Sequence, residues 1–172
     1  MLPHRYWRVY VTQSTSGGTM QICAYEVEMR GTVGGADQCN GGIASASHNN
    51  DRAYRLFDNN TSEGWINGGP SEDTWFQYDF GAGNAVIVAE WKFLPRGQYE
   101  APKECALQWS DNGTDFTTAA VWSGMTSSDW IGGVEKLFVV PDPPPPPTPP
   151  PTVAPWQFRC SGGRVLWRGN AL

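Results

Sequence analysis

The stretch Trp75-Phe76-Gln77-Tyr78-Asp79-Phe80 alternates two sets of side chains. One set is aromatic throughout, and the other set combines a tryptophan with an amide and a carboxylate. Successive side chains of a β-strand point to opposite faces, so this alternation is typical of an extended chain whose two faces differ in polarity. The segment therefore predicts a β-strand, and it sets the pattern for the first 141 residues.

Similar apolar and alternating runs predict an all-β domain. We expect further strands at residues 6–11, 22–30, 85–93, 105–109, 116–122 and 134–140. Asn112-Gly113 is a hairpin signal, and one helical turn is expected within residues 50–58. Short strands at intervals of about ten residues, with Gly, Asn and Pro between them, indicate an antiparallel β-sandwich or jelly roll.

The composition excludes several classes of protein. The chain has 172 residues, of which 40% are hydrophobic and 13% aromatic, enough for one domain with a packed core. Its net charge of −5 argues against a nucleic-acid partner. No apolar run approaches the roughly 20 residues that span a bilayer, so we expect no membrane insertion. The amino terminus lacks the apolar region of a secretory signal, which predicts synthesis in the cytoplasm.

Four cysteines are too far apart for a Cys-x-x-Cys metal site. Cys23, Cys39, Cys105 and Cys160 are interpreted as free thiols, and a bridge between Cys23 and Cys105 remains an open alternative.

A proline-rich segment divides the chain. Ten of the 14 prolines lie between Pro141 and Pro155, and proline favours polyproline II over sheet or helix. We therefore predict a domain at residues 1–141, a linker at 142–155 and a tail at 156–172. The linker is interpreted as a spacer, with a ligand for SH3-like domains as the alternative.

The tail, from Trp156 to Leu172, alternates apolar and polar residues on both sides of Ser-Gly-Gly, which predicts a hairpin. An isolated hairpin is at best marginally stable in water. We therefore expect the tail to dock onto a partner chain.

Four segments carry a family resemblance. Residues 44–47 (ASAS), 56–65 (LFDNNTSEGW), 75–81 (WFQYDFG) and 101–113 (APKECALQWSDNG) resemble motifs of the coagulation-factor type C, or discoidin-like, domains. The resemblance covers about residues 4–141 and implies a galactose-binding-like jelly roll.

The order of the motifs resembles a circular permutation. Segments similar to the family's last strands, residues 5–9 and 25–30, come first here. We therefore expect residues 6–11 and 22–30 to share a sheet, and the first strand to lie near residues 137–140. Domains with this permuted order occur in tailed-phage structural proteins, so the resemblance implies a location on the virion.

The resemblance also implies a structural calcium ion. By position its ligands would be Glu26, Asp58, Asn60 and Glu63, and Ca²⁺ prefers such oxygen ligands. Asn59 stands where the family has Gly, and Glu63 where it has Thr. The alternative is an Asx-type turn without metal.

Family members bind ligands through loops at one end of the jelly roll. The loops at residues 48–52 and 96–100 offer aromatic and planar polar groups suited to sugars. The candidate ligand-binding residues are His48, Asn50, Arg52, Arg96, Tyr99 and Trp130. The alternative for the charged residues is a solvated surface. Other tryptophans, Trp7, Trp65, Trp75 and Trp91, are expected in the core.

Catalysis has little support, because the chain has two histidines and no recognisable catalytic motif. We therefore expect a non-catalytic binding module of a phage particle. Its jelly roll would recognise host-surface carbohydrate, and its C-terminal tail would bind other virion proteins. The alternative is a structural decoration or connector protein that binds protein neighbours and no sugar.

Overall fold

The computed structural model describes residues 1–17, 20–69, 73–141 and the short pairs 160–161 and 164–165. The chain forms two compact units, Met1–Asp142 and Pro143–Leu172. The boundary falls one residue from the predicted start of the linker.

The first unit is a β-domain with two short 3-10 helices. Its strands, in chain order, are β1 (Tyr6–Ser14), β2 (Cys23–Arg30), β3 (Ile43–Ala46), β4 (Trp65–Ile66), β5 (Thr74–Asp79), β6 (Glu90–Pro95), β7 (Pro102–Ser110), β8 (Thr117–Trp122) and β9 (Lys136–Val139). The 3-10 helices are Asn50–Leu56 and Ser127–Gly133.

Two antiparallel sheets contain these strands. One has five strands in the order β3-β5-β1-β7-β8, and the other has four in the order β4-β2-β6-β9. The inward side chains of both sheets belong to a single hydrophobic core. The expectation of an all-β fold is confirmed, and the arrangement is compatible with a β-sandwich.

The core is rich in aromatic rings. Trp7, Trp65 and Trp91 are fully buried, as expected. Trp91 stacks on Phe138 with ring centroids 4.1 Å apart, which joins β6 to β9. Trp75 differs from the expectation: it alternates with buried Phe76 and lies half-buried on the outer face of the five-stranded sheet.

Most predicted elements are present. Six of the seven predicted strands coincide with observed strands, and the short helical turn lies at Asn50–Leu56. The predicted hairpin joins β7 to β8, and Gly113 in its loop has φ = 76°. The sequence did not reveal β3, β4 or the second 3-10 helix, which are all short.

The predicted strand at residues 85–93 is wrong in its first half, since β6 begins at Glu90. Val86 pairs instead with His4 near the start of the chain, and the Ala89 carbonyl accepts a hydrogen bond from the Val140 amide at 2.8 Å. Both ends of the domain are therefore attached to one short segment, residues 86–89.

The expectation that β1 and β2 share a sheet is wrong. β1 lies at the centre of the five-stranded sheet, between β5 and β7, whereas β2 pairs with β4 and β6 in the other sheet. Strand β9 also belongs to the second sheet, so it is not a neighbour of β1. The physical reason is that the chain crosses between sheets after β1 instead of turning back as a hairpin.

Cys23, Cys39 and Cys105 are free, buried thiols, and burial raises the pKa of each of them. The alternative bridge between Cys23 and Cys105 does not form. The side chain of Cys160 lies outside the described residues.

In the second unit, β10 (Cys160–Ser161) pairs antiparallel with β11 (Arg164–Val165). This pairing agrees with the predicted hairpin in the tail. The proline-rich linker and the rest of the tail lie outside the described residues. Within the described ranges, no helix has the length and apolar character needed to cross a bilayer.

A substitution at Gly42 tests how closely the chain packs against β5 at the start of β3. A Cβ atom there would lie 2.3 Å from the Asp79 carbonyl oxygen and 2.5 Å from the Tyr78 ring. We expect Gly42→Ala to lower the free energy of unfolding by about 1–3 kcal/mol, as overpacking does. At Gly97 the nearest atom would be 3.7 Å away, so Gly97→Ala is the control and should change stability by less than about 0.5 kcal/mol. Urea unfolding of both variants measures the two free energies of unfolding. Equal values would contradict the close contact of Gly42 with Asp79 and Tyr78.

Candidate functional site

The two loops proposed for ligand binding meet the same strand residues. The Asn49 side chain donates to the Ile66 carbonyl at 2.6 Å, and Ile66 pairs with Cys23 in the neighbouring strand. The backbone of Cys23 bonds in turn to Arg96 and Glu100, at 3.0 and 2.9 Å. The loops at residues 48–52 and 96–100 therefore lie at the same end of the four-stranded sheet, on either side of β4 and β2.

Three of the predicted ligand-binding side chains are exposed there. The side chain of Arg52 is 61% exposed and lies 3.7 Å from the Asp51 carboxylate. Tyr99 is 59% exposed, and Arg96 forms an exposed ion pair with Glu100. These groups are accessible to a ligand in solution.

The other three predicted side chains have structural contacts. The Asn50 side-chain oxygen accepts from the Ala46 amide at 2.8 Å, and the His48 ring is hydrogen bonded to the Ser47 hydroxyl at 2.9 Å. Trp130 is fully buried against Phe93 and Phe138. Trp130 therefore belongs to the core and presents no ring face to a ligand.

A second candidate site surrounds Glu26, a proposed calcium ligand. Glu26 is only 2% exposed, because β2 is irregular next to it, where the register with β6 shifts between Ala24 and Glu26. Its Oε1 accepts from the Val27 amide at 3.2 Å, but its buried Oε2 has no hydrogen-bond partner. A buried carboxylate oxygen without a partner is costly unless a cation or a proton neutralises it.

Three further carboxylates act on Glu26. Burial is the main cause that raises the pKa of Glu26 to about 8; the negative charges of Asp58, Asp37 and Glu28 contribute to the rise, and the hydrogen bond from the Val27 amide opposes it. Asp58 is one of the predicted ligands. Asp37 was not predicted, and its Oδ1 is held by the Met29 and Cys39 amides at 3.0 and 3.1 Å.

The predicted calcium loop folds back on itself. Asp58 accepts from the Asn60 amide at 2.9 Å, and Asn60 accepts from the Ser62 amide at 3.0 Å. Asn59 has φ = 58°, a left-handed conformation that Asn adopts more readily than most residues. The loop thus has the Asx-turn geometry that was the alternative to a metal site.

Glu63, the fourth predicted ligand, has a different contact. Its carboxylate pairs with Arg55 at 2.8 Å. Across the described residues, no group of three or more His, Cys, Asp and Glu side chains is close enough to hold a metal ion as it stands.

The residues around Glu26 fit calcium in part. Glu26 and Asp58 would hold the ion and Asp37 would add a third carboxylate, but the three side chains would first have to move closer together than they lie here. Bound calcium would supply positive charge to a buried carboxylate, and the chain itself would contribute the oxygens and exclude water. The signal that could have identified Asp37 is weak: it is a lone acid in the Gly-rich loop after β2.

Comparison with protein-family models, with curated proteins and with solved structures gives no match. The chemistry of both candidate sites therefore follows from their own residues.

Glu26→Gln tests the calcium site, because it removes the charge and keeps the shape of the side chain. The pKa of folded Glu26 is raised from 4.5 to about 8, so the folded state holds this proton more tightly than the unfolded state. In chelator the protein should therefore lose stability as the pH rises from 4.5 to about 8. The variant should not show this loss, which melting temperatures measured across this pH range would detect.

Calcium should restore the stability of the unmodified protein at neutral pH, by about 2.7 kcal/mol at 100 times its dissociation constant. Glu26→Gln should respond far less. Glu63→Gln is the control, because its exposed ion pair with Arg55 contributes little to stability, and it should keep the response to calcium. An equal response of all three proteins would contradict a site at Glu26.

Proposed function

We propose that this chain is a non-catalytic carbohydrate-binding module with a discoidin-like, galactose-binding-like jelly-roll domain. The observation that supports it is the convergence of the two candidate ligand loops on Cys23 and Ile66 at one end of a sheet. Exposed Tyr99 supplies a ring face for the CH surface of a sugar, and Arg52 and Arg96 supply planar donors for hydroxyl groups.

The proposed calcium ion has a structural role. By neutralising Glu26 it would stabilise β2, the strand that carries Cys23 at the ligand end. Sugar binding would then depend on calcium indirectly, through the stability of the domain.

We also propose that the module belongs to a phage particle and binds a glycan of the host surface. This placement rests on the permuted order of the discoidin-like motifs. The attachment of both domain ends to residues 86–89 supports the permutation, because the new ends of a permuted domain fall where the original chain was continuous and therefore lie close together. The tail at residues 156–172 would attach the module to other virion proteins.

The alternative is a decoration or connector protein of the virion that binds only protein neighbours. One observation favours it: the edge strand β9 exposes Leu137 by 47% and Val139 by 50%. Apolar side chains on a sheet edge are typical of a surface that pairs with another chain. A glycan array probed with the full chain separates the two functions, because the alternative predicts no bound glycan.

Tyr99→Ala tests the position of the sugar site. With a glycan that the array identifies, the variant should bind about tenfold more weakly by calorimetry, since a stacked aromatic residue is a frequent energetic anchor. Tyr54→Ala is the matched control, because Tyr54 is 54% exposed but lies on the 3-10 helix, outside both loops. Equal losses in the two variants, or no loss in Tyr99→Ala, would contradict a site at this end.

A further inference from the structure

A row of polar side chains crosses the outer face of the five-stranded sheet. Its members are cross-strand neighbours, one from each strand: Ser45, Gln77, Arg8, Gln108 and Thr118. Hydrogen bonds link Gln77 to Ser45 at 3.3 Å, Arg8 to Gln108 at 2.7 Å and Gln108 to Thr118 at 3.3 Å. The row is interrupted at one place, since no hydrogen bond joins Gln77 to Arg8 among the described contacts.

Aromatic rings surround the guanidinium group of Arg8. Its central carbon lies 3.7 Å from the centroid of the Phe116 ring, and 5.3 and 5.9 Å from the centroids of Tyr10 and Trp75. All three rings are partly exposed. We call this surface the Arg8 face, defined by Arg8, Gln77, Gln108, Tyr10, Trp75 and Phe116.

Among the described residues, the charge of Arg8 has no carboxylate partner. Each of the other arginines in the described part of residues 1–141 lies within ion-pair distance of a carboxylate, and Arg8 does not. Its Nε bonds to the neutral amide of Gln108, and no contact is described for its two terminal nitrogens. Burial lowers the pKa of Arg8, so the charge is held at a cost that the rings and the Gln108 amide offset only in part, since no carboxylate of the described sheet pairs with it.

Two carboxylates on this side of the sheet, Asp79 and Asp73, are already engaged by other groups. Asp79 accepts two hydrogen bonds from Arg5, at 2.7 and 2.8 Å. Asp73 accepts from the Tyr10 hydroxyl at 2.8 Å. The half-buried cation therefore has room for an anionic group from outside the chain.

We propose that the Arg8 face binds a saccharide that carries a carboxylate, such as a uronic or sialic acid residue of a glycan. The unpaired Arg8 guanidinium binds the carboxylate through its two terminal nitrogens, in the planar fork geometry that suits it. The rings of Tyr10 and Trp75 contact the apolar face of the pyranose, and the amide of Gln77 binds a hydroxyl group. This site is distinct from the loop site of the proposed function and does not depend on it.

The test uses the full chain and two acidic probes, tetragalacturonate and sialyllactose. Their neutral counterparts are the methyl esters of the same two saccharides, which lack only the negative charge. Calorimetry should show binding of one acidic probe or both, and which of the two binds identifies the source of the carboxylate. The neutral counterparts should bind at least about tenfold more weakly, and added salt should weaken acidic binding, because the contact is an ion pair.

Arg8→Gln should weaken acidic binding by about tenfold or more, while Tyr54→Ala, an exposed residue outside the Arg8 face and both loops, leaves it unchanged. Arg8→Lys should give an intermediate loss, because it keeps the charge but loses the planar fork. If Arg8→Gln does not fold, the comparison of charged and esterified probes on the unmodified chain still shows whether a carboxylate is required for binding. Equal binding of charged and neutral probes, or of Arg8→Gln and the unmodified chain, would overturn the proposal. An Arg8-dependent dimer that binds neither acidic probe would also overturn it, because a second copy would then occupy the face.

Discussion

The register of β1 is the constraint that determines which side chains face the core and which face outward. Its inward residues Trp7, Val9 and Val11 are fully buried, and each large side chain among them contributes about 1.5–3 kcal/mol on burial. Its outward residues alternate with them and include Arg8. Because strand side chains have a period of two, a slip of one residue would expose the core set and bury the guanidinium. Pairing with β5 and β7 on both sides fixes the register, so the same pairing builds the core and places Arg8 among the aromatic rings.

The second sheet contains a group that burial opposes. Glu26 is buried beside other acids with one oxygen unpartnered, which only a proton or a cation can offset. The half-buried charge of Arg8 is disfavoured for the same reason, although Arg8 is a cation and Glu26 an anion. A fold that retains two such groups gives up stability at both places, and ligand binding is the ordinary physical reason for this. We therefore propose that each group lies at a binding site whose ligand supplies the missing opposite charge.

The local structure of this chain could be predicted from its sequence better than its long-range pairing. The alternation at residues 75–80 identified β5, because a period of two is a local property. The run at 85–93 was interpreted as one strand, although residues 86–89 hold the two domain ends instead; apolar character alone cannot distinguish these outcomes. The sheet membership of β1 and β2 depends on contacts far apart in sequence. Among the residues of the proposed sites, Glu26, Asp58 and Tyr99 were predicted from the sequence. Asp37 and the Arg8 face became apparent only from contacts between residues far apart in the chain.

We propose that the exposed surfaces of this β-domain bind saccharide and that its tail binds protein. The most direct measurement is an NMR titration of the isotope-labelled full chain with purified bacterial surface polysaccharide. We expect saturable chemical-shift changes in the amides of residues 48–52 and 96–100, with a second set around Arg8 when the polysaccharide carries carboxylates. The polysaccharide should remain uncleaved. An absence of shifts in both regions, across neutral and acidic polysaccharides, would contradict a carbohydrate-binding module and favour a protein that binds only its neighbours in a particle.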